Sequence, residues 1–253
     1  MAAPAAMDVQ TAVITGAARG VGAEIARALH GAGFRVLLTD VDEPGCQALA
    51  AELDPALDMA RAETLDVGKP EDFQRVLDKA VAEIGAVQVL VNNAALTKAQ
   101  PVLDITPQEF NAIMAVNAGG TFAGSQIFAR HFKDMGYGRI VNMASLAGQN
   151  GGTATGAHYA ASKGAIMTLT KVFARDLAPF GITCNCISPG PMDSPMVHDI
   201  VGADRMEGFL KNIPVGDLGD PKFVAQLVAL LASPAASFVT GACWDVNGGL
   251  FMR

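Results

Sequence analysis

Tyr159 and Lys163 stand four residues apart in a Pro-free stretch, about 155–178, that reads as a helix, so both share one face. A phenol ordinarily titrates near pH 10 and is a poor base at neutral pH, but a neighbouring ammonium favours the phenolate. Bringing it to about 7.5 takes roughly 3.4 kcal/mol, within reach of two desolvated positive charges. Ser145 follows the strand-like run Arg139-Ile140-Val141-Asn142-Met143-Ala144. At a strand's carboxyl end its hydroxyl can donate to a carbonyl oxygen and stabilise charge developing there. Taken alone, a Tyr–Lys pair on a helix surface and a turn-capping serine are ordinary features, so the surrounding elements decide their meaning.

Upstream, Thr15-Gly16-Ala17-Ala18-Arg19-Gly20-Val21-Gly22 separates an apolar, β-rich run (9–15) from an Ala-rich helix (about 21–32). Glycines let backbone approach a pyrophosphate, and a helix N-terminus offers free N–H groups with a positive dipole. An acid, Asp40, ends the next strand (34–40), where a ribose-binding carboxylate belongs. The combination points to a dinucleotide.

Strand and helix patterns alternate throughout. Further strands are expected at 60–65, 87–92, 138–144, 182–188 and 242–246, and helices at 43–53, 70–84, 106–133, 155–178 and 220–231. Thr106-Pro107-Gln108-Glu109 reads as a capping box, and Asp220-Pro221 as a cap followed by proline at the first helical position. Short, unmixed apolar strands indicate a parallel sheet covered by helices on both faces. The expected organisation is one domain over 9–253 behind a loose tail, 1–8, in which Met7 offers a second start. The long irregular stretch 189–220 holds an expected mobile lid at about 191–214, with Met192, Met196, Met206 and Phe209 as its apolar packing.

The spacing TGxxxGxG, followed by Asn92-Asn93-Ala94, Ser145, Tyr159-x-x-x-Lys163 and Pro189-Gly190, resembles the short-chain dehydrogenase/reductase family in its branch of about 250 residues. The resemblance runs from about Val9 to Gly249. It implies a doubly wound Rossmann-type domain with a seven-stranded parallel sheet, and hydride transfer between a nicotinamide and a secondary alcohol or ketone. In the mechanism it implies, Tyr159 gives or takes the proton on the carbonyl oxygen and Ser145 hydrogen-bonds that oxygen. Lys163 holds the nicotinamide ribose and lowers the Tyr159 pKa; Asn117 kinks its helix and links Lys163 to solvent through a water. Gly16, Arg19, Gly20, Val21 and Gly22 would wrap the pyrophosphate side, and Asp40 would take the adenosine ribose hydroxyls. Asp66 and Val67 would flank adenine, Asn93, Ala94, Tyr159 and Lys163 would line the ribose region, and Pro189, Gly190, Met192 and Ser194 would hold the nicotinamide. Two positions depart from the family pattern: Ala95 replaces a glycine and Ser194 a threonine.

Asp40, with Asp42 and Glu43 beside it, favours NAD over NADP, against the single basic residue Arg19. Other readings stay open: a 3-oxoacyl-thioester reductase with Arg130 and Arg175 docking an acyl carrier protein, an epimerase or dehydratase on the same scaffold, or a non-catalytic dinucleotide-binding regulator. Leu96, Leu146, Met192 and Met196 suggest an apolar-walled substrate pocket. His158 is expected to face solvent or a partner, because adjacent helix residues point about 100° apart. A net charge of −7 with scattered basic residues argues against nucleic acid. The absence of a run of ~18 uncharged apolar residues argues against a membrane span and leaves the cytoplasm as the expected location. Cys46, Cys184, Cys186 and Cys243 have no metal spacing, so no metal is expected. Apolar residues on more than one stripe of the helices at 106–133 and 155–178 imply burial on a second side, and family resemblance makes the expected assembly a homotetramer.

Overall fold

The structure, a computed structural model, describes residues 9–152, 155–194, 197–198 and 201–252. The tail 1–8 and Met196 lie outside the described residues. Its elements run β1 (Thr11–Thr15), α1 (Gly20–Gly31), β2 (Arg35–Asp40), α2 (Glu43–Leu53), β3 (Ala60–Thr64), α3 (Pro70–Ile84) and β4 (Val89–Asn92). They continue with α4 (Pro107–Met114), α5 (Gly120–Met135), β5 (Gly138–Met143), a short α6 (Ala147–Asn150), α7 (Ala157–Leu177), β6 (Ile182–Pro189), α8 (Ala203–Leu210), α9 (Pro221–Ala232) and β7 (Cys243–Val246). The seven strands form one parallel sheet in the order β3-β2-β1-β4-β5-β6-β7.

Alternation along each strand divides the core between two faces. Ala12 and Ile14 of β1 and Val36 and Leu38 of β2 pack with Ile25 and Leu29 of α1, Cys46 and Leu49 of α2, and Val224 and Val228 of α9. Val13 and Leu37, one residue out of step, pack on the other face with Phe73 and Leu77 of α3, Phe128 and Phe132 of α5, and Ala174 of α7. Both sides of the sheet are therefore dry, which is why its strands carry apolar runs without a polar alternation. A parallel β-α-β connection needs a helix to return the chain, and local signals set where these begin. Thr106 and Glu109 form the expected capping box at α4, and Asp220 accepts from Lys222 N–H at the start of α9 with Pro221 behind it.

Two expected elements differ in a way that matters for the site. The helix expected at 106–133 is two helices joined by a π-helical turn, Ala115–Gly119, with Asn117 at its middle. The Asn117 amide bonds the backbone of Leu96 in both directions, Leu96 N–H to Oδ1 at 2.8 Å and Nδ2 to Leu96 O at 2.9 Å, and an inserted side-chain partner of this kind accompanies a widened turn. The stretch expected to be irregular, with a mobile lid at about 191–214, carries a helix, α8, none of whose residues is buried. Buried Met192, Val201 and Ile213 flank it, and Met192 pairs with Gly219 through an isolated bridge.

Candidate functional site

Strand order places the site. From β1 the chain winds outward to β2 and β3, then returns past β1 to β4 and winds the other way, so the crevice at the carboxyl ends of β1 and β4 is the topological switch point. Thr15 ends β1 there. Its Oγ1 accepts the backbone N–H groups of Asn93 (3.0 Å) and Ala94 (3.1 Å) and donates to Val91 O (3.3 Å). Asn93 answers with its side-chain amide, which donates to the carbonyls of Thr15 and Gly16, each at 3.0 Å.

The glycine loop folds tightly against this junction. Gly16 has φ +67°, and a Cβ there would lie 2.7 Å from Ala94 Cα. A Cβ on Gly22 would stand 2.0 Å from Gly16 O, so no side chain fits at the point where the loop enters α1. Arg19 precedes the first residue of α1 without a side-chain cap, leaving the helix N-terminus to an anion. Ala95 does not have positive φ, so the alanine at a position where relatives place glycine is unstrained.

At the end of β2, Asp40 holds both ends of its carboxylate on backbone: Oδ2 accepts from Ala18 N–H (3.2 Å) and Oδ1 from Asp42 N–H (3.1 Å). The carboxylate is thereby fixed beside the glycine loop, as a ribose-binding acid must be. Arg19 is exposed and makes no ion pair among the described residues. After β3, Asp66 Oδ1 accepts from Gly68 N–H (3.0 Å), and Val67 packs against α5 so closely that a Cβ on Gly120 would meet its carbonyl at 2.8 Å. The uncapped helix start, the side-chain-free loop and the tethered acid together fit a dinucleotide.

Ser145 stands two residues beyond β5, held by Ala144 N–H to Ile187 O (2.8 Å) and Leu146 N–H to Pro189 O (2.9 Å). Its Oγ accepts from Ala147 N–H at 3.2 Å, and its hydroxyl is near enough to the Tyr159 phenol to oppose the upward push of burial on that group. Lys163, one turn along α7, is buried, and its ammonium lies 5.5 Å from the Tyr159 ring centre and donates to Met143 O at 2.7 Å. Asn117 comes within one residue of this pair, its Nδ2 donating to Ser162 Oγ at 3.0 Å. Gly190 N–H donates to Val246 O (2.8 Å), Met192 is buried beside Gly219, and Ser194 opens the next turn, its Oγ accepting from Val197 N–H at 3.4 Å. The carboxyl ends of six strands, β1 to β6, thus carry expected residues, with Asn117, Tyr159 and Lys163 supplied by helical elements.

Without the cofactor, burial pushes the Tyr159 phenol above its ordinary value and the neighbouring Ser145 hydroxyl opposes this. Burial also brings Lys163 down from 10.5 to about 8. One expectation needs correction, that for His158. His158 faces neither solvent nor a partner. It is fully buried, and its Nδ1 accepts from Tyr159 N–H at 2.8 Å. Sequence reasoning also passed over Thr15 and Asn142. Asn142 accepts from Asn92 Nδ2 (2.8 Å) and donates to Thr170 Oγ1 (3.0 Å), tying β4, β5 and α7 together beneath the site. The available signal was an asparagine inside an otherwise apolar strand, costly to bury without a partner.

Fold and site define a dinucleotide-binding oxidoreductase with a Ser–Tyr–Lys centre. A family profile described as enoyl-(acyl carrier protein) reductase matches residues 16–251. The chain is 39% identical over 248 residues to a 4-formylbenzenesulfonate dehydrogenase of Comamonas testosteroni, covering 96% of this chain and 98% of that protein. It is 36% identical to the 3-oxoacyl-[acyl-carrier-protein] reductase of Vibrio cholerae (97% and 99% covered) and 36% identical to the acetoacetyl-CoA reductase of Shinella zoogloeoides (96% and 98% covered). The chain belongs to the short-chain dehydrogenase/reductase family of oxidoreductases. No described helix is long and apolar enough to cross a membrane.

The Lys163 assignment has a thermodynamic signature. Its ammonium releases a proton near pH 8 in the folded chain and near 10.5 when unfolded. Between these values the unfolded chain binds more protons, so stability contributed at this position rises with pH. Relative to Lys163→Met, wild-type stability should improve by up to roughly 3 kcal/mol from pH 8 to 10.5, read by urea unfolding of the cofactor-free protein. A difference that stays constant across that range contradicts a buried ammonium.

Proposed function

We propose that the protein is an NAD-preferring dehydrogenase of a small secondary alcohol, or reductase of the matching ketone, with Tyr159 as the group that moves the proton. The observation that carries this reading is the placement of Tyr159 and Lys163 on α7, the ammonium 5.5 Å from the phenol ring centre, beside Ser145 at the end of β5, together with a glycine loop that excludes side chains. The bound nicotinamide supplies hydride acceptance or donation and, when oxidised, a positive charge.

The chain's own groups do the rest. Ser145 donates to the substrate oxygen and holds it at the phenol. Tyr159 takes the hydroxyl proton on oxidation and returns it on reduction. Burial alone would keep that phenol protonated at neutral pH, so its ionisation depends on the Lys163 ammonium and the oxidised ring acting together. Lys163, Asn93 and Ala94 hold the ribose side; Gly16, Arg19, Gly20, Val21 and Gly22 the pyrophosphate; Asp66 and Val67 the adenine. Pro189, Gly190, Met192 and Ser194 hold the nicotinamide. The Asn117 side chain is committed to Leu96 and Ser162, so a relay water would share its backbone carbonyl with Thr121 Oγ1, which donates there at 2.8 Å.

Cofactor preference rests on Asp40. Its carboxylate accepts ribose hydroxyls, whereas a 2′-phosphate at 4 Å would be repelled by ~4 kcal/mol at an effective dielectric near 20. Solvent screening to about 2–3 kcal/mol still leaves roughly 30- to 150-fold discrimination. Asp42 and Glu43 add to the repulsion, and Arg19 alone opposes it. A small-molecule substrate is favoured over a carrier-bound thioester because Arg175, one of two arginines considered for docking, is already paired with Asp176 at 2.7 Å.

Assembly as a homotetramer is supported by exposed large apolar side chains, Phe110, Phe122 and Val172 on α4, α5 and α7 and Phe223, Leu230 and Phe238 in and after α9, the last fully exposed at 101%. Light scattering should give four times 26.1 kDa, and a monomer at micromolar concentration would exclude this.

A panel of alcohols and ketones, followed at the reduced-nicotinamide absorbance with both cofactors, tests the function. Tyr159→Phe should bind NADH normally and lose about 10²–10⁴-fold in turnover. Asp40→Ala should narrow the NAD preference mainly by improving NADP. Near-normal turnover by Tyr159→Phe removes the proton-transfer assignment, and equal or better use of NADP by the wild type removes the cofactor assignment.

A further inference from the structure

His158 is the one fully buried histidine among the four in the chain, and the chemistry above makes no use of it. It occupies the second position of α7, immediately before Tyr159. The residue before the helix is Gly156, which has no side chain to cap the first turn. The imidazole takes the cap's place by folding back over that glycine: a Cβ on Gly156 would stand 2.4 Å from His158 Cε1 and 2.9 Å from Nδ1. In this pose Nδ1 accepts the Tyr159 N–H at 2.8 Å, while Gly156 O lies 3.1 Å from the same N–H. Gly156 is itself tied across the site mouth, its N–H donating to Lys98 O at 3.0 Å.

A neutral imidazole that accepts at Nδ1 carries its proton on Nε2. That Nε2 is buried, with no hydrogen-bond partner among the described residues, so the imidazole's side-chain bond among them is the one its Nδ1 makes to the Tyr159 backbone. Tyr159 N–H, moreover, keeps an acceptor in Gly156 O without the histidine. What the imidazole adds is a second, shorter attachment for the first turn of α7 at the residue carrying the phenol, 2.8 Å against 3.1 Å.

We propose that His158 is a positioning residue for the reaction, its Nδ1 fixing the Tyr159 backbone so that the phenol stays aligned with Ser145. The proposal rests on Tyr159 being the proton-transfer group. It separates stability from turnover, which a merely structural role would not.

Three variants test it: His158→Leu, which removes the acceptor; His158→Asn, which can present Oδ1 close to where Nδ1 stands; and His158→Gln, which carries its acceptor one bond further out. Melting temperature, NADH affinity, and kcat and KM with a ketone are measured for each, alongside Tyr159→Phe. His158→Leu should keep or raise the melting temperature, hold NADH affinity within about twofold, and lose on the order of 10- to 100-fold in kcat, the scale of a small misplacement of a reacting group. His158→Asn should recover kcat to within about threefold of wild type, and His158→Gln should not. Wild-type kcat in His158→Leu overturns the proposal, as does parallel loss of kcat and melting temperature with no recovery in His158→Asn. If His158→Leu fails to fold, the comparison of Asn with Gln decides, equal kcat counting against positioning. Full activity in Tyr159→Phe would instead remove the reading beneath it, a separate result.

Discussion

Two side chains bind the ends of β1 and β4 where the sheet reverses its winding. Thr15 Oγ1 accepts two successive amide N–H groups from the chain leaving β4, and Asn93 returns its side-chain amide to two carbonyls leaving β1. Neighbouring parallel strands normally diverge once their ladder ends, which is what opens a crevice at a switch point. Here the divergence is checked by these bonds at the depth where the glycine loop turns. The loop can pass only because Gly16 and Gly22 have no side chains, the latter leaving 2.0 Å between an added Cβ and Gly16 O. Everything proposed for the dinucleotide follows from that fixed floor.

On the other side of the crevice, the reacting groups are held by buried polar bonds. Asn92, Asn142 and Thr170 connect β4 to β5 and β5 to α7, and Ser125 adds α5 through Asn92. Higher up, Asn117 joins the π turn to Leu96 and Ser162, and Lys163 reaches Met143 O. Unsatisfied, such groups would be expensive in a dry core; paired, they allow few alternative placements of α7 on the sheet. That is why a helix can deliver Tyr159 to a serine carried by a strand.

Much of this was legible in residue patterns. Alternating apolar runs gave strand and helix order, and the Thr106–Glu109 box and Asp220-Pro221 marked helix starts to within a residue. The spacing of Gly16, Gly20 and Gly22 and of Tyr159 and Lys163 points to the residues proposed for the cofactor and the proton. Periodicity could not reveal the π turn at Asn117, since the sequence around it reads as continuous helix and the cause is a tertiary bond to Leu96. Nor could it place His158, because a helical wheel gives the direction of a side chain and not its folding back over Gly156. Spacing also does not record how deeply the Tyr159 phenol and the Lys163 ammonium are buried, which depends on packing.

The claim that the β1–β4 lock creates the dinucleotide site is tested most directly by titrating NADH into Thr15→Val, following nicotinamide fluorescence. Valine keeps the shape and removes the oxygen that serves Asn93 and Ala94 N–H, so the account predicts affinity lower by about 10-fold or more with the far-ultraviolet circular dichroism intact. Wild-type NADH affinity in that variant would contradict it.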